Sequence, residues 1–332
     1  MTLASTLLLD RSDVASLLTL PECIAAVEAA FLAHATGRSF TPGLLHVDAI
    51  GGEFHVKAGG VTINDRSYFA LKANGGFFGN AAANGLPNIL GVIYLADASN
   101  GYPLAVMDSL YITALRTGAA TAIAARYLAR DDATTATICG AGRQGRIQLR
   151  ALCETVSLEN AFIWSRDENH AAAAASELSE ELGIPVKPAA SLPRALESSD
   201  IVVTCTPSRE PIIKRSWIAP GTFVAAVGAD SPDKQELDPE LMVCATIVTD
   251  ITDQCAHVGE LHHALNRGVV RLADVKAELG ELIAGRSVGR SGRDEITIFD
   301  STGTALQDAA AAALTYDKAI AAGRGTTMEF FR

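Results

Sequence analysis

The chain has 332 residues, of which 48% are hydrophobic and 20% are charged. At roughly 150 residues per domain this length predicts two domains, and so much apolar character excludes intrinsic disorder. The net charge of −11 disfavours nucleic acid and anionic membrane surfaces as partners, because like charges repel. With 28 glycines and only 6% aromatic residues, the composition favours an α/β enzyme over an all-β binding module.

The sequence predicts neither a membrane segment nor a secretory leader. The best candidate span, residues 111–129, is interrupted by Arg116 and Arg126. The first residues lack a basic leader and a small-residue cleavage site. The six cysteines are scattered without a CxxC pair, which favours reduced thiols. We therefore expect a cytoplasmic protein that binds neither nucleic acid nor membrane.

The first third of the chain predicts one helix followed by short strands. Apolar residues recur at helical spacing over residues 18–36. Turns rich in glycine and asparagine then separate strands at 54–57, 68–73 and 88–96. We expect this block of strands to be antiparallel or mixed.

Beyond residue 112 the pattern changes to alternating helices and strands. Helices are predicted at 118–129, 143–156, 168–182 and 192–198. Strands are predicted at 133–139, 161–165, near 186, and at 200–206, 222–227, 246–250 and 295–299. This alternation predicts an α/β fold with a doubly wound parallel sheet. A final alanine-rich helix at 304–322 is expected to return to the first block.

A GxGxxG loop follows the strand at 133–139 and opens the next helix. Its residues are Gly140, Ala141, Gly142, Arg143, Gln144 and Gly145. In this setting the first glycine permits a tight turn, the second lets the backbone approach a pyrophosphate, and the third lets the helix pack closely. The helix N-terminus adds N–H donors for the phosphate. A plain strand–helix turn is the alternative, but the context favours a dinucleotide site.

The end of the second strand of this sheet bears on the choice of cofactor. Ser165 and Arg166 stand where an acidic residue would bind the ribose hydroxyl of NAD. A hydroxyl followed by a guanidinium suits the 2′-phosphate of NADP, which arginine binds in bidentate fashion. Asp167 and Glu168 follow and could favour NAD instead. We expect NADP(H), with NAD(H) possible.

Three basic residues lie in otherwise apolar segments of the first block. Lys57 and Lys72 are each in a predicted strand, and Arg116 is at the start of an apolar helix. A lysine turned inward would bind an anion or act as a tuned acid, whereas a solvent-facing lysine would have no such role. Arg116 would pair either with a structural carboxylate or with a substrate carboxylate.

Two further candidates follow predicted strands. Asp230 comes after the strand at 222–227 and a glycine, at the carboxyl end where open α/β sheets bind ligands. An ordinary capping role is the alternative for this residue. Ser301 follows the strand at 295–299 and is expected near the nicotinamide, unless it belongs to a helix cap.

No metal site is predicted. Glu260, His262 and His263 resemble a ligand cluster, but adjacent histidines on a helix point about 100° apart. There is no HExxH motif, and the absence of a GxSxG elbow leaves a serine hydrolase unsupported.

Several motifs together resemble the ornithine cyclodeaminase/mu-crystallin family over residues 50–315. They are ALKAN at 70–74, GLP at 85–87, GYPL at 101–104, ALRT at 114–117, GAGRQG at 140–145, TCT at 204–206, VGAD at 227–230 and KQEL at 234–237. The resemblance implies a Rossmann-type NAD(P)-binding domain, at 117–303, inserted into an α+β substrate-binding and dimerisation domain made of 1–116 and 304–332. It also implies a homodimer.

The resemblance assigns roles to individual residues. It implies that Lys72 and Arg116 hold the substrate carboxylate or imine, and that Asp230 acts on the substrate amine. Lys57 matches a basic position found in some members. Further cofactor contacts are expected from Thr204, Thr206, Val227 and Ser301.

These inferences favour an oxidoreductase that acts on C=N bonds. The expected reaction is NADPH-dependent reduction of Δ1-pyrroline-2-carboxylate, or of Δ1-piperideine-2-carboxylate, to L-proline or L-pipecolate. Arg116 and Lys57 would hold the carboxylate, Lys72 would supply a proton, and Asp230 would act as acid or base or stabilise the iminium. Alternatives are an NAD-dependent ornithine cyclodeaminase, an alanine or other imino-acid dehydrogenase, and a cofactor-binding protein without catalysis.

Overall fold

A computed structural model describes residues 5–330. The strands are β1 (Thr6–Leu9), β2 (Ser39–Ala49), β3 (Gly52–Ile63), β4 (Arg66–Gly76), β5 (Ile89–Asp97), β6 (Pro103–Asp108), β7 (Thr135–Cys139), β8 (Asn160–Trp164), β9 (Val186–Pro188), β10 (Ile201–Thr204), β11 (Arg209–Ile213), β12 (Phe223–Ala226), β13 (Gln235–Leu237), β14 (Ala245–Thr249), β15 (Val275–Glu278), β16 (Ile296–Asp300) and β17 (Thr326–Met328).

The helices are α1 (Arg11–Leu17), α2 (Leu20–Ala35), α3 (Asn80–Asn84), α4 (Ser109–Leu128), α5 (Arg143–Cys153), α6 (Glu168–Leu182), α7 (Leu192–Glu197), α8 (Glu240–Val243), α9 (Thr252–Val258), α10 (Glu260–Asn266), α11 (Leu279–Ile283) and α12 (Ala305–Ala322). The chain divides into two compact units. One runs up to Arg116 and resumes at Thr304, and the other is Thr117–Gly303.

The first unit is built on a seven-stranded mixed sheet. Its strand order is β17-β1-β6-β5-β4-β3-β2, and the pairs from β2 to β6 are antiparallel whereas β1 and β6 are parallel. The expected antiparallel or mixed block is therefore confirmed. Helix α12 packs against α2 and against strands β3 and β4. This packing places the last long helix of the chain over the centre of the sheet.

The second unit is built on an eight-stranded parallel sheet. Its order is β15-β14-β16-β12-β10-β7-β8-β9, so the chain moves to one side of β7 through β8 and β9 and later returns to the other side. The central strands β10, β12 and β16 are buried along their whole length, as expected when helices cover both faces of a sheet. The predicted α/β, Rossmann-type doubly wound sheet is confirmed.

The predicted boundaries are accurate for some elements and wrong for others. The helix predicted at 168–182 is confirmed as α6, but α4 begins at Ser109 rather than at 118. It begins there because Asp108, at the end of β6, accepts a hydrogen bond from the N–H of Tyr111 at 3.1 Å. From the sequence we do not predict β1, β11, β13, β15 or β17, which have three to five residues each, nor β6, which has six, nor β2, which has eleven.

Among residues 5–330, no single helix has both the length and the apolarity to cross a bilayer. Helices α1 and α2 reach those values only as a pair bent by 86°.

The glycine loop yields a prediction about stability. A Cβ at Gly145 would lie 1.8 Å from the carbonyl oxygen of Gly140, so Gly145→Ala must displace backbone where α5 approaches β7. We expect it to lower the free energy of unfolding by about 1–3 kcal/mol, measured by urea denaturation. Gly142→Ala is the matched control, because a Cβ there meets no atom within 4 Å. Equal urea midpoints for the two variants would contradict the close-approach role of Gly145.

Candidate active site

A buried cluster of charged side chains lies in the first unit, between the sheet and α12. The Nζ of Lys72 is 2.7 Å from Oδ2 of Asp308. The Nε of Arg116 donates to Oδ1 of the same carboxylate at 3.1 Å, and its Nη1 donates to Oε1 of Gln307 at 2.9 Å. Lys57 is buried as well, and it pairs with Lys72 on the neighbouring strand. The structure thus brings together the three basic residues predicted for substrate binding.

Local sequence explains how the cluster forms. The antiparallel register of β3 and β4 pairs Lys57 with Lys72, so both side chains lie on one face of the sheet. Asp308 belongs to the first turn of α12, which packs on that face. A glycine permits the close approach, since a Cβ at Gly59 would lie 3.1 Å from the Cβ of Ala305.

Burial and neighbouring charge set the protonation of the cluster. Burial lowers the pKa of Lys72 to about 7, and the positive charge of Arg116 adds to this effect, while Asp308 opposes it. Burial disfavours ionised Asp308, but the charges of Lys72, Arg116 and Lys57 outweigh it and hold the pKa of that carboxyl below its usual value. Three cations therefore act on one carboxylate, an arrangement suited to binding a further anion.

The structure clarifies the two roles considered for Arg116. It pairs with a structural carboxylate, Asp308, and its contact with a substrate carboxylate stays a prediction. Sequence reasoning missed Asp308 and Gln307. The signal was present, because a charged residue in an otherwise alanine-rich buried helix requires a partner.

In the second unit, the glycine loop has the geometry of a phosphate cradle. Gly140 has φ +129°, which favours glycine, and Gly142 is exposed with open space at its Cβ position. No side chain caps the N-terminus of α5, so its first N–H groups remain available to a ligand. These residues fit a dinucleotide pyrophosphate.

The residues after β8 that were considered for the choice of cofactor differ in their contacts. Asp167 is the N-cap of α6, and its Oδ1 accepts from the N–H groups of Asn169 at 2.9 Å and His170 at 3.3 Å. Its carboxylate is thus engaged by the helix. Arg166 is exposed, and Ser165 accepts from the N–H of Asp167 at 3.3 Å.

Asp230 lies beyond the carboxyl end of β12 and pairs with a lysine. The Nζ of Lys234 is 2.7 Å from its Oδ1. The loop that carries both residues is held by Glu236, whose carboxylate accepts from the N–H and hydroxyl of Thr206, at 2.6 and 2.7 Å, and from the N–H of Gly228, at 2.9 Å. One buried carboxylate thereby links the chain after β10 to the chain after β12.

Two more buried carboxylates extend this network. Glu260 accepts from the N–H groups of Glu236 at 2.7 Å and Leu237 at 3.1 Å. Asp300, at the end of β16, accepts from the N–H groups of Glu260 at 3.2 Å and Leu261 at 2.8 Å. Burial raises the pKa of both Glu236 and Asp300 to about 7. Sequence reasoning missed this network, although Glu236 lies in a recognised motif.

Glu260, His262 and His263, which resemble a ligand cluster in the sequence, make hydrogen bonds to the backbone. Glu260 binds backbone N–H groups, His263 Nε2 donates to the carbonyl of Lys234 at 2.8 Å, and His262 Nδ1 donates to that of Ala256 at 3.1 Å. Each of the three side chains thus makes a hydrogen bond to the backbone.

The remaining predicted cofactor residues differ in exposure. Thr204 and Ser301 are buried at the ends of β10 and β16, and Thr206 commits its hydroxyl to Glu236. Val227 is half-buried, and its N–H donates to the carbonyl of Thr204 at 2.9 Å. Their contact with a cofactor stays a prediction, as does that of Arg143, which is exposed at the start of α5.

Comparison with known proteins finds relatives along nearly the whole chain. The model of the ornithine cyclodeaminase/mu-crystallin family matches residues 4–323. The chain is 39% identical over 329 residues to alanine dehydrogenase of Archaeoglobus fulgidus, which covers 98% of this chain and 99% of that protein.

Solved structures agree with the sequence match. An archaeal alanine dehydrogenase dimer with bound NAD has a TM-score of 0.93 and 38% identity, covering 99% of this chain and 100% of that one. Δ1-Pyrroline-2-carboxylate reductase of Thermococcus litoralis, in complex with NADH and L-proline, has a TM-score of 0.92 and 36% identity, covering 97% and 100%. The chain therefore belongs to the ornithine cyclodeaminase/mu-crystallin family.

Proposed function

We propose that the protein reduces a cyclic imino acid, Δ1-pyrroline-2-carboxylate or Δ1-piperideine-2-carboxylate, to L-proline or L-pipecolate with NADPH. The chain is an NAD(P)-dependent oxidoreductase that acts on C=N or CH–NH bonds. The observation that carries the proposal is the buried cluster in which Lys72 and Arg116 share Asp308. It combines cations for a carboxylate with a lysine whose pKa lies near neutrality. The relative solved with L-proline supports the same substrate class.

In this reaction the residues of the first unit bind the substrate and supply a proton. Lys57 and Arg116 hold the carboxylate through charge-assisted hydrogen bonds. Lys72 donates a proton to the imine nitrogen, for which a pKa of about 7 is well matched at neutral pH. Asp230 acts as acid or base, or stabilises the positive charge of the iminium. The cofactor, when bound at the glycine loop, supplies the hydride.

A second candidate is an alanine dehydrogenase. The observation that favours it is the 39% identity to the enzyme of that name from Archaeoglobus fulgidus over almost the full length. Both reactions reduce a C=N bond beside a carboxylate, so the charged cluster serves either. Reduction rates with pyrroline-2-carboxylate, piperideine-2-carboxylate and pyruvate plus ammonia, measured at the nicotinamide absorbance band, distinguish them.

The role of Lys72 predicts a large loss of turnover on its removal. We expect Lys72→Met to lower kcat/KM for the imino acid by about 10²- to 10⁴-fold, the usual contribution of a general acid. In the unmodified enzyme kcat/KM should fall as pH rises above about 7, because the donor must carry its proton.

The control for this experiment is Lys187→Met, which removes an exposed lysine of β9 and should leave the rate unchanged. The residual kcat/KM of Lys72→Met should no longer fall as the pH rises above neutrality. A near-normal rate in Lys72→Met would remove Lys72 from the mechanism.

The NADPH preference rests on the end of β8. Because Asp167 caps α6, Ser165 and Arg166 are the side chains best suited to a 2′-phosphate. We expect Arg166→Ala to raise the KM for NADPH by about 10- to 100-fold, which corresponds to a lost hydrogen bond to a charged group. The KM for NADH should change little.

The matched control is Arg194→Ala, which removes an exposed arginine of α7 in the same unit. Steady-state kinetics with both cofactors measure the effect. Equal changes in the two KM values on replacing Arg166 would contradict its role as a phosphate ligand.

We further propose that the protein is a cytoplasmic homodimer. The outer face of the β2–β5 ladder exposes large apolar side chains, here called the apolar face: Leu45, Val47, Phe54, Leu90 and Val92. Contiguous exposed apolar surface is typical of an interface, and a related structure is a dimer. The six cysteines are free thiols, which suits a reducing compartment.

If the protein is a homodimer, its average molecular mass in solution rises with its concentration. If the apolar face forms the interface, changing a residue of that face lowers this mass. Val47→Asp should shift the protein from dimer to monomer in sedimentation equilibrium, because it buries an unpaired charge. Val243→Asp is the control, since Val243 is a similarly exposed valine in α8. A dimer that tolerates Val47→Asp would place the interface elsewhere.

A further inference from the structure

The hairpin formed by β2 and β3 carries a polar cluster that the proposed reaction does not use. His46 and Asp48 lie on β2, and Glu53 and His55 lie on β3. The register pairs His46 with His55 and Asp48 with Glu53. Paired residues, and residues two apart on one strand, share a face of a sheet, so all four side chains lie together. This face is the opposite of the apolar face.

Three of the four side chains, those of His46, Glu53 and His55, approach one another at the distances of a metal-ligand set. The Nε2 of His55 is 3.1 Å from Oε1 of Glu53, and the Nε2 of His46 is 3.8 Å from Oε2 of the same carboxylate. The His46 Nε2 is also 3.1 Å from Oδ1 of Asp48. One ligand atom from each of His46, Glu53 and His55 can be chosen so that all lie within 4.8 Å of one another.

We propose that His46, Glu53 and His55 bind a divalent transition-metal ion, with Zn²⁺ as the best match. Two imidazoles and one carboxylate are typical zinc ligands, at about 2.0–2.2 Å from the ion. Tetrahedral geometry then separates ligand atoms by roughly 3.3 Å, and the distances around Glu53 bracket this value. Asp48, whose side chain is 94% exposed, or water completes the coordination.

The hairpin pre-organises the ligand side chains of this site. The two strands pair continuously from Gly43 to Ala49, so the backbone fixes the spacing of the ligands. The side chains of His55 and Glu53 are only 13% and 20% exposed. A half-buried carboxylate beside two imidazoles has lost part of its hydration, and a cation compensates for that loss.

A site of this kind has a structural consequence. An ion held by two strands cross-links the end of the hairpin, and binding to the folded state alone raises its stability by mass action. We therefore expect Zn²⁺ to raise the Tm of the protein. The hydride transfer proposed above requires no metal, so the two proposals fail independently.

The test uses the full-length protein freed of metal by chelation and titrated with Co²⁺ as a spectroscopic stand-in for Zn²⁺. We expect saturable visible absorption at one ion per chain, displaced by Zn²⁺. His46→Gln should weaken binding by more than about 100-fold, since the loss of an outer-shell partner alone costs about 10- to 100-fold, and Glu53→Gln should do the same. His262→Gln is the control, because that histidine belongs to the other His–Glu cluster.

Circular dichroism verifies that the variants are folded, and His46 is the variant of choice because it is the most exposed of the three ligands. Loss of the Co²⁺ spectrum in folded His46→Gln, with an unchanged spectrum in His262→Gln, supports the site. Failure of the unmodified protein to bind Co²⁺ stoichiometrically, or full binding by the double variant His46→Gln/His55→Gln, overturns it.

Discussion

The buried carboxylate of Asp308 is the contact on which the first unit depends. It joins β4, through Lys72, and α4, through Arg116, to a helix from the far end of the chain. Removing one partner of a buried ion pair typically costs about 3–5 kcal/mol, because the other charge is left uncompensated. The same contact sets the electrostatics of the candidate substrate site. The stability of this unit and the chemistry proposed for it therefore depend on one group.

The buried carboxylates of the second unit have different partners from Asp308. Asp308 is surrounded by cations, which keep its pKa low, whereas Glu236 and Asp300 bind neutral N–H groups and hydroxyls. Those hydrogen bonds favour the ionised form, but burial outweighs them and raises both pKa values. In one unit the buried acid orients charged side chains, and in the other the buried acids fix loops at the carboxyl edge of the sheet.

The sequence predicts local features well and long-range partners poorly. Strand–helix alternation and the loop at Gly140–Gly145 are local patterns, and the structure confirms the parallel sheet they predict. Lys57, Lys72 and Arg116 were recognisable because charge is rare in apolar segments. Asp308 is a similar signal in an alanine-rich helix, but its partner could not be predicted, since the bond to Arg116 spans 192 residues and no periodicity reports which cation a buried acid faces. The cluster around Glu53 depends likewise on the register of a hairpin.

The electrostatics of Lys72 connect substrate binding to proton supply in the proposed reaction. With a pKa of about 7, this lysine is partly neutral in the absence of ligand. An anionic carboxylate placed beside Lys57 and Arg116 adds negative charge to the cluster, which favours the charged form of Lys72. In the proposed reaction, binding of the imino acid would thus favour protonation of the group that delivers a proton to its nitrogen. In the proposed reaction, a substrate without a carboxylate would neither pair with Lys57 and Arg116 nor favour the charged form of Lys72, so the cluster would select substrates that carry a carboxylate through both effects.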